Sequence, residues 1–380
     1  MSPDFLFTSC QGTISATDLG QPITTPACEW PLLEQQIASA LAAASAAGQS
    51  NPLLIGAFAF DPAEASCLYV PGRYKRGEKL APTEPSSVTA VEQAPEANRV
   101  ISVQSTPPAS EFQASVSAAL DAFAQGRLAK VVLSRKLTLI LHQPADPKQV
   151  MARLMTQNPH AFHFSLPLGQ GRRLLGASPE LLLRVSGGEV FTHPLAGSAR
   201  RVSEPAQDEM VARDLLASRK DQHEHKLVID EIRRVLTPHC RELAIPAHPS
   251  LMSTDTLWHL GTPIAGRLNG GEASVLSLAC QLHPTPALCG YPTDLARQFI
   301  REQEPFRRAL FSGIVGWCDS QGNGEWAVVI RCGVLDGHQV ELFAGAGIVA
   351  GSNPAMEWAE TGTKLGTMLK ALGLSPEVAQ

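Results

Sequence analysis

The hydrophobic pattern of the chain alternates between short apolar runs, which are typical of strands, and longer periodic stretches, which are typical of helices. Turn residues bound the apolar runs, and the pattern predicts strands over 52–60, 130–141, 326–333 and 339–345. The last two flank Asp336-Gly337, which is a strong hairpin signal. Gly-rich turns between residues 161 and 193 predict further antiparallel hairpins in that region.

Helix start and stop signals bracket five stretches, which are 31–47, 110–126, 147–158, 205–236 and 353 onward. Ser110 with Gln113 predicts a capping box for the second stretch, and the fourth is long enough for one helix or two in series. Residues 81–108 are rich in Pro, Ser and Glu, so we expect a long surface connection there. Because helices and antiparallel strands mix without a regular βαβ alternation, the pattern favours an α+β fold.

The composition is that of a globular chain without a basic surface for polyanions. Of its 380 residues, 44% are hydrophobic and 18% are charged, which allows a substantial core. The formal net charge of −5 argues against a nucleic-acid partner and against a membrane surface. The N-terminus has neither a basic region nor a long apolar run, so we expect a cytoplasmic protein. The eight cysteines contain no C-x-x-C pair and are predicted to be reduced packing residues.

Two acidic clusters have the spacing of helix faces and are the first candidates for chemistry. Asp221 and Glu224 lie three residues apart, and Glu357, Glu360 and Lys364 follow at spacings of three and four. If the two faces meet, their carboxylates repel unless a cation lies between them, and oxygen ligands suit Mg²⁺. Zinc is disfavoured because the histidines that flank Glu224 point to different sides of a helix. The alternative is that each cluster is a solvated helix face with internal salt bridges.

Three further residues have local sequences that suit catalysis or anion binding. Lys130 begins a predicted strand with apolar neighbours, where burial would favour its neutral amine as a general base; an edge lysine that blocks strand pairing is the alternative. Glu180 follows a Gly/Pro turn and is a general acid if partly buried, or an ordinary exposed turn residue. Arg331 alternates within the predicted strand 326–333 and suits either a bidentate carboxylate contact or a strand salt bridge.

Two glycine-rich segments, 194–201 and 344–348, follow predicted strands and could present backbone N–H groups to a carboxylate. Neither has the G-x-x-x-x-G-K-[ST] pattern of nucleotide phosphate sites. The sequence also lacks a G-x-S-x-G elbow, a C-x-x-C pair and a Rossmann fingerprint. Serine hydrolases, thiol redox enzymes and dehydrogenases are therefore disfavoured.

Ten segments between residues 130 and 364 resemble, in order, the motifs of the chorismate-utilising enzymes, the family of isochorismate, salicylate, anthranilate and aminodeoxychorismate synthases. These segments are KVVLSR (130–135), GASPELLLR (176–184), PLAGSARR (194–201), KDQHEH (220–225), LWHL (257–260), HPTPALCG (283–290), GIVGWCD (313–319), VVIRC (328–332), AGAGIV (344–349) and EWAETGTK (357–364). The residues of these segments are most similar to those of isochorismate synthases from catecholate siderophore pathways such as the enterobactin pathway.

The resemblance implies a single domain over 1–380, in which two large antiparallel β-sheets pack as a sandwich surrounded by helices. Residues 1–108 would supply the N-terminal part of the sheet and a variable connection, and residues 109–372 would carry the catalytic motifs. Ser198 stands where the family has a threonine, and Arg201 where it has a glycine. The hydroxyl is retained, so only the fine geometry of this segment is expected to differ.

By this resemblance, the chain isomerises chorismate to isochorismate with Mg²⁺ as its cofactor. Lys130 is implied to activate water for attack at C2, and Glu180 to protonate the departing C4 hydroxyl. The implied metal residues are two ligands, Glu224 and Glu360, and two residues that act through water, Asp221 and Glu357. The residues implied to contact the substrate are Gly197, Ser198, His259, Ala287, Phe311, Arg331, Gly345 and Lys364.

Two positions bear on the reaction within the family. Ala287 and Phe311 stand where lyase and aminating members place a threonine and a tyrosine, and the loss of these polar groups favours a reaction that stops at isochorismate. The alternatives are a salicylate synthase or an aminating chorismate enzyme and, more distantly, a chorismate-fold protein that binds without turnover. The expected partners are chorismate and the downstream isochorismatase of a 2,3-dihydroxybenzoate siderophore pathway.

Overall fold

The computed structural model describes residues 3–80, 99–270 and 273–379. Within these ranges the α-helices are α1 (Trp30–Ala46), α2 (Ala109–Ala124), α3 (Pro147–Gln157), α4 (Pro205–Ala217), α5 (Arg219–Leu236), α6 (Val275–Leu282), α7 (Thr293–Gln303) and α8 (Pro354–Leu372). The strands are β1 (Phe5–Ser9), β2 (Gly12–Thr17), β3 (Leu53–Phe58), β4 (Cys67–Tyr69), β5 (Arg73–Gly77), β6 (Val100–Thr106), β7 (Lys130–Leu141), β8 (Phe162–Gly169), β9 (Arg172–Ser178), β10 (Leu181–Ser186), β11 (Glu189–His193), β12 (Leu195–Arg200), β13 (Cys240–Ala244), β14 (Ser250–Ser253), β15 (Leu257–Gly261), β16 (Ile264–Leu268), β17 (Gly290–Tyr291), β18 (Ile314–Asp319), β19 (Gly324–Val328), β20 (Cys332–Asp336) and β21 (Gln339–Val349).

The strands form two large antiparallel sheets and one small sheet. The ten-stranded sheet has the order β17-β7-β21-β20-β9-β8-β1-β2-β5, with β6 beside β7. The eight-stranded sheet has the order β13-β16-β11-β10-β19-β18-β3-β4, and β12, β15 and β14 form a three-stranded sheet. The two large sheets confirm the predicted α+β fold, and the small sheet is an addition to that prediction.

Hydrophobic side chains fill the space between the two large sheets and the spaces between each sheet and its helices. In the central layer, Phe7 and Phe164 of the ten-stranded sheet pack with Ile55 and Val315 of the eight-stranded sheet. Helices α1, α5 and α6 pack on the eight-stranded sheet, α3 and α8 pack on the ten-stranded sheet, and α2 and α7 pack beside β7. Each layer removes apolar surface from water, which stabilises the fold by about 25 cal/mol for each Å² that is buried. The predicted single-domain sandwich with helices on its outside is confirmed.

The chain crosses between the two large sheets at two neighbouring places. Glu180 lies between β9 and β10, which belong to different sheets, and Arg331 lies between β19 and β20, which also belong to different sheets. The two crossovers are joined by backbone hydrogen bonds from Val328 N–H to the Glu180 carbonyl (3.1 Å) and from Ala177 N–H to the Arg331 carbonyl (3.1 Å). An acid and a cation from distant parts of the sequence are therefore brought to one point of the sandwich.

The charged stretch 205–236 forms two helices in series, and the break between them positions an acidic cluster. Ser218 has extended backbone angles that end α4, and its hydroxyl accepts the N–H of Asp221 at the start of α5 (3.3 Å). Such an N-cap stabilises a helix by about 1 kcal/mol. Asp221 and Glu224 consequently occupy the first turns of α5.

Two predictions near the N-terminal third are wrong. Helix α2 begins at Ala109 with Pro108 as its N-cap, so Ser110 lies inside the helix and forms no capping box. The predicted surface connection contains a strand, β6, which pairs with β7; it is largely exposed, and its polar residues hide the alternation that identifies a strand. The rest of the predicted connection, residues 81–98, lies outside the described residues.

The predicted strand 326–333 is also wrong, because it divides between the two sheets. Its first part belongs to β19, and its last residues begin β20, which forms the predicted hairpin with β21. Arg331 therefore does not alternate within a strand: it has a φ of +50° at the crossover, a conformation that non-glycine residues seldom adopt.

None of the helices in the described ranges combines the length and apolar character that a bilayer-spanning helix requires.

Candidate active site

A cavity beside the two crossovers gathers most of the residues that the sequence predicts for the site. It encloses about 780 Å³ of empty space, including its open mouth. The predicted residues that line it are Glu180, Gly197, Ser198, Asp221, Glu224, His259, Ala287, Phe311, Arg331, Gly345, Glu360 and Lys364. Lys130 and Glu357 do not line the cavity themselves; each is buried behind it in contact with a charged residue of the wall.

Glu180 is a buried carboxyl group at the wall of the cavity. Burial raises the pKa of Glu180 to about 7, although the Leu195 N–H, which donates to its Oε1 (3.3 Å), and the positive charges of Lys130 and Arg331 oppose the rise. Desolvation favours the neutral form of a carboxyl group. At neutral pH a large share of Glu180 therefore carries a proton that it can donate.

Lys130 is fully buried at the start of β7, and its Nζ lies 2.9 Å from Glu224 Oε1 on helix α5. Gly347, on the neighbouring strand β21, makes this contact possible. A Cβ at Gly347 would lie 2.2 Å from Glu224 Oε1, so a larger residue there would force the Glu224 carboxylate to move. The glycine therefore provides the space that the Glu224 carboxylate occupies.

The two predicted acidic faces meet, and three of their carboxylates each contact a lysine. Lys130 pairs with Glu224, Lys220 with Glu357 (2.8 Å) and Lys364 with Glu360 (2.6 Å). Ser198 also donates to Glu360 Oε1 (3.1 Å). Within the described ranges no three His, Cys, Asp or Glu side chains are placed to hold one metal ion.

The environment differs between the two glutamates of helix α8. Burial alone would raise the pKa of Glu360, but the Lys364 ammonium outweighs it and holds the pKa below its usual value. Burial, together with the negative charge of Glu360, raises the pKa of Glu357. The carboxylate that faces the cavity is thus the one whose ionised form is stabilised.

The groups suited to an anionic ligand lie on the small sheet, at the crossover and on α8. Ser198 and His259 are cross-strand neighbours on β12 and β15, and Gly197 has a φ of +82° at an irregularity of β12. Burial lowers the pKa of His259 well below its usual value, with Arg331 and Lys364 adding to the effect, so its imidazole is neutral. Its Nε2 is buried and has no hydrogen-bond partner among the described residues, which leaves it available to a ligand.

The first glycine-rich segment follows β11, as predicted, but both segments themselves form part of a strand. Residues 195–200 form β12, and residues 339–349 form β21, in which Gly345 pairs with Ser134 and its carbonyl accepts from Lys364 Nζ (2.9 Å). For the second segment, the predicted strand ends at residue 345, whereas β21 continues to Val349. Sheet pairing therefore uses part of the backbone that we expected to be free for a carboxylate.

One wall of the cavity is apolar. Phe311 stacks on Phe343 with a centroid separation of 5.2 Å and an interplanar angle of 16°. Ala287, Leu288 and Val132 continue this wall. The wall offers no side-chain hydrogen bond at the two positions, Ala287 and Phe311, that the sequence marks as specific to the reaction.

Several residues of the site escaped the sequence analysis. Lys220 and Gly347 lie inside the motifs but have no signal of their own, because their roles depend on Glu357 and Glu224, which are far away in the sequence. Helical spacing alone could have suggested Lys220, since it is four residues before Glu224 and would lie on the same face.

The fold and the cavity are those of a known family: the chain belongs to the chorismate binding enzymes, whose family model matches residues 76–373. This confirms the resemblance found in the sequence. The chain is 84% identical over 381 residues to a protein of Aeromonas hydrophila assigned as an isochorismate synthase, covering 100% of this chain and 96% of that protein. It is 47% identical to isochorismate synthase EntC of Escherichia coli (strain K12), covering 90% of this chain and 86% of that protein. A crystal structure of DhbC from Bacillus anthracis, assigned as a 2,3-dihydroxybenzoate-specific isochorismate synthase, has a TM-score of 0.89 and 36% identity, covering 98% of this chain and 97% of that one.

Proposed function

We propose that the protein is an isochorismate synthase, an isomerase that converts chorismate to isochorismate by adding water at C2 and releasing the C4 hydroxyl. The observation that carries the proposal is Glu180, a carboxyl group that remains partly protonated at neutral pH inside a cavity that also holds Arg331 and Lys364 for an anion. Relatives that cover nearly the whole chain and carry the name isochorismate synthase support it. Intact acid, base and metal residues argue against a protein that only binds chorismate.

The reaction needs one base and one acid, and both are present. Lys130 takes a proton from water while the oxygen bonds to C2 and the ring double bonds shift. Glu180 gives its proton to the C4 hydroxyl, which leaves as water. Protons and oxygen balance, since one water enters and one leaves. Arg331, Lys364 and the Ser198 hydroxyl hold the substrate carboxylates in a protein whose net charge is −5.

The carboxylates fit a magnesium ion. Mg²⁺ is held by one or two carboxylates with water and ligand oxygens completing its shell, so Glu224 and Glu360 suffice and a group of three is not required. Asp221, which also lines the cavity, and Glu357, which is buried behind its wall, would act through water. When bound, Mg²⁺ would stabilise negative charge on the substrate's ring carboxylate as the hydroxyl leaves. Glu224, which pairs with Lys130, would then be shared between that lysine and the ion.

The apolar wall favours a reaction that ends at isochorismate. Elimination of pyruvate or attack by ammonia would require polar groups near the enolpyruvyl group or the nucleophile, and Ala287 and Phe311 supply none. The names of EntC and of the 2,3-dihydroxybenzoate-specific DhbC support a role in catecholate siderophore synthesis. The product would then pass to an isochorismatase in the cytoplasm.

The test is product analysis by chromatography after incubation of the purified protein with chorismate and Mg²⁺, and separately with added ammonium. Isochorismate is the expected product in both, and it should vanish with a metal chelator. Stoichiometric pyruvate would show a salicylate synthase, and anthranilate an aminating enzyme. Lys130→Ala should abolish turnover, whereas Lys226→Ala, an exposed lysine on α5, should not; a wild-type rate in Lys130→Ala would reject the assigned base.

A further inference from the structure

Strand β7, which begins with Lys130, has a gap along one edge. On that edge β17 pairs with residues 130–131 and β6 pairs with residues 136–141. Among the described residues, no strand covers the stretch between them. Backbone groups left unpaired in a buried position are costly, so something must replace the missing strand.

Two side chains from the segment that follows α7 fill this gap. The Ser134 N–H donates to Glu304 Oε1 (2.8 Å), and Arg308 Nη2 donates to the Val132 carbonyl (2.7 Å). Arg308 Nε also donates to Glu304 Oε2 (2.8 Å), and the two side chains are only 2% and 3% exposed. A buried ion pair therefore makes the hydrogen bonds that a neighbouring strand would make.

The same guanidinium reaches the apolar wall of the cavity. Arg308 Nη1 donates to the Leu288 carbonyl (3.0 Å), next to Ala287, and the Arg308 carbonyl accepts the N–H of Phe311 (2.9 Å). The guanidinium also lies over the Phe60 ring at 4.4 Å, which limits its movement. The Arg308 side chain thus connects β7 to Leu288, the neighbour of Ala287, and its guanidinium lies 5.9 Å from the centroid of the Phe311 ring.

We propose that Glu304 and Arg308 are positioning residues that hold Lys130 and the apolar wall in a fixed relation to each other. This inference rests on the proposed function of the same cavity. The groups assigned to the substrate carboxylates are Ser198, Arg331 and Lys364, and among the described residues Arg308 donates its side-chain hydrogen bonds to none of them. Loosening the ion pair should therefore disturb the reacting geometry more than substrate binding.

Steady-state kinetics of Arg308→Lys test the inference. Lysine keeps the positive charge but lacks the planar guanidinium group. It therefore cannot donate hydrogen bonds to the Val132 carbonyl, the Leu288 carbonyl and Glu304 at the same time. The expected result is a kcat lower by about 10²-fold, the effect of a misplacement of roughly 1 Å, with a KM changed by less than about threefold. Glu304→Gln, which keeps one acceptor for Ser134 but loses the ion pair, should show the same split.

The matched controls are Arg307→Lys and Glu302→Gln, which alter exposed neighbours on the same segment and should leave both constants unchanged. The rate of each variant is divided by its folded fraction, which thermal unfolding measures. Glu304→Asp is used in place of any variant that fails to fold. An unchanged kcat in the folded Arg308→Lys and Glu304→Gln proteins, or a rise in KM alone, would overturn the inference. Absence of isochorismate from the wild type would instead overturn the proposed function.

Discussion

At the scale of single residues, the chemistry of the site depends on where a side chain is buried. Glu180 follows an ordinary turn in the sequence, and its local sequence predicts a candidate acid. Its raised pKa arises from burial at the junction of two crossovers, and the second of these lies about 150 residues away. No local pattern reveals that burial, which is why the sequence leaves an exposed turn residue as the alternative.

The pKa of Glu180 predicts a pH dependence. Because burial raises this pKa to about 7, the carboxyl group is protonated below that pH and loses its proton above it. We expect kcat/KM for chorismate, which reports the free enzyme, to fall as the pH rises above about 7. The measurement is kcat/KM across pH 5.5 to 9 for the wild type and for Glu180→Gln.

Glu180→Gln should lower the rate by about 10²- to 10⁴-fold, the usual contribution of a general acid, and should remove the alkaline fall. Glu189→Gln, an exposed glutamate on β11, is the control and should retain both the rate and the profile. If the alkaline fall persists unchanged in Glu180→Gln, another group carries the proton.

At the scale of helices and strands, the sequence predicts elements whose ends carry local signals. Asp146 and Asn353 cap α3 and α8 as expected, because an N-cap acts on its own next residues. The failures are elements that depend on distant partners, such as the exposed strand β6 and the division of 326–333 between two sheets. The acidic face of α8 was predictable from spacing, but its pairing with α5 was not.

The contact between β7 and α5 predicts an effect on metal binding. Lys130 forms an ion pair with Glu224 and so competes with a metal ion for this carboxylate. We therefore expect Lys130→Met to bind Mg²⁺ more tightly than the wild type, by about tenfold or 1.4 kcal/mol. Isothermal titration calorimetry without chorismate measures this affinity independently of turnover.

Lys226→Met is the matched control for that titration. It removes one positive charge from helix α5, which carries Glu224, but from an exposed pair with Asp230, so salt and solvent screen its effect. Equal affinities in the two variants would mean that only overall charge matters, and weaker binding in Lys130→Met would mean that the lysine supports the metal site.

At the scale of the whole molecule, the sandwich architecture followed from the family resemblance and not from the periodicity of single strands. Alternation identifies a strand but not its neighbours, so the order of 21 strands in three sheets within the described ranges is beyond such patterns. The resemblance supplied the two large sheets, and the structure adds a third that carries Ser198 and His259. The site is therefore a product of topology, since crossovers, two helices and a small sheet must all meet.

The central claim is that this cavity adds water to chorismate and stops at isochorismate. The most direct test is the initial reaction with chorismate and Mg²⁺ in H₂¹⁸O, followed by mass spectrometry of the separated products. We predict isochorismate with one ¹⁸O atom in its C2 hydroxyl and no pyruvate. Unlabelled isochorismate, which would mean that the C4 hydroxyl migrates without exchange, or salicylate with pyruvate as the main products, would contradict the claim.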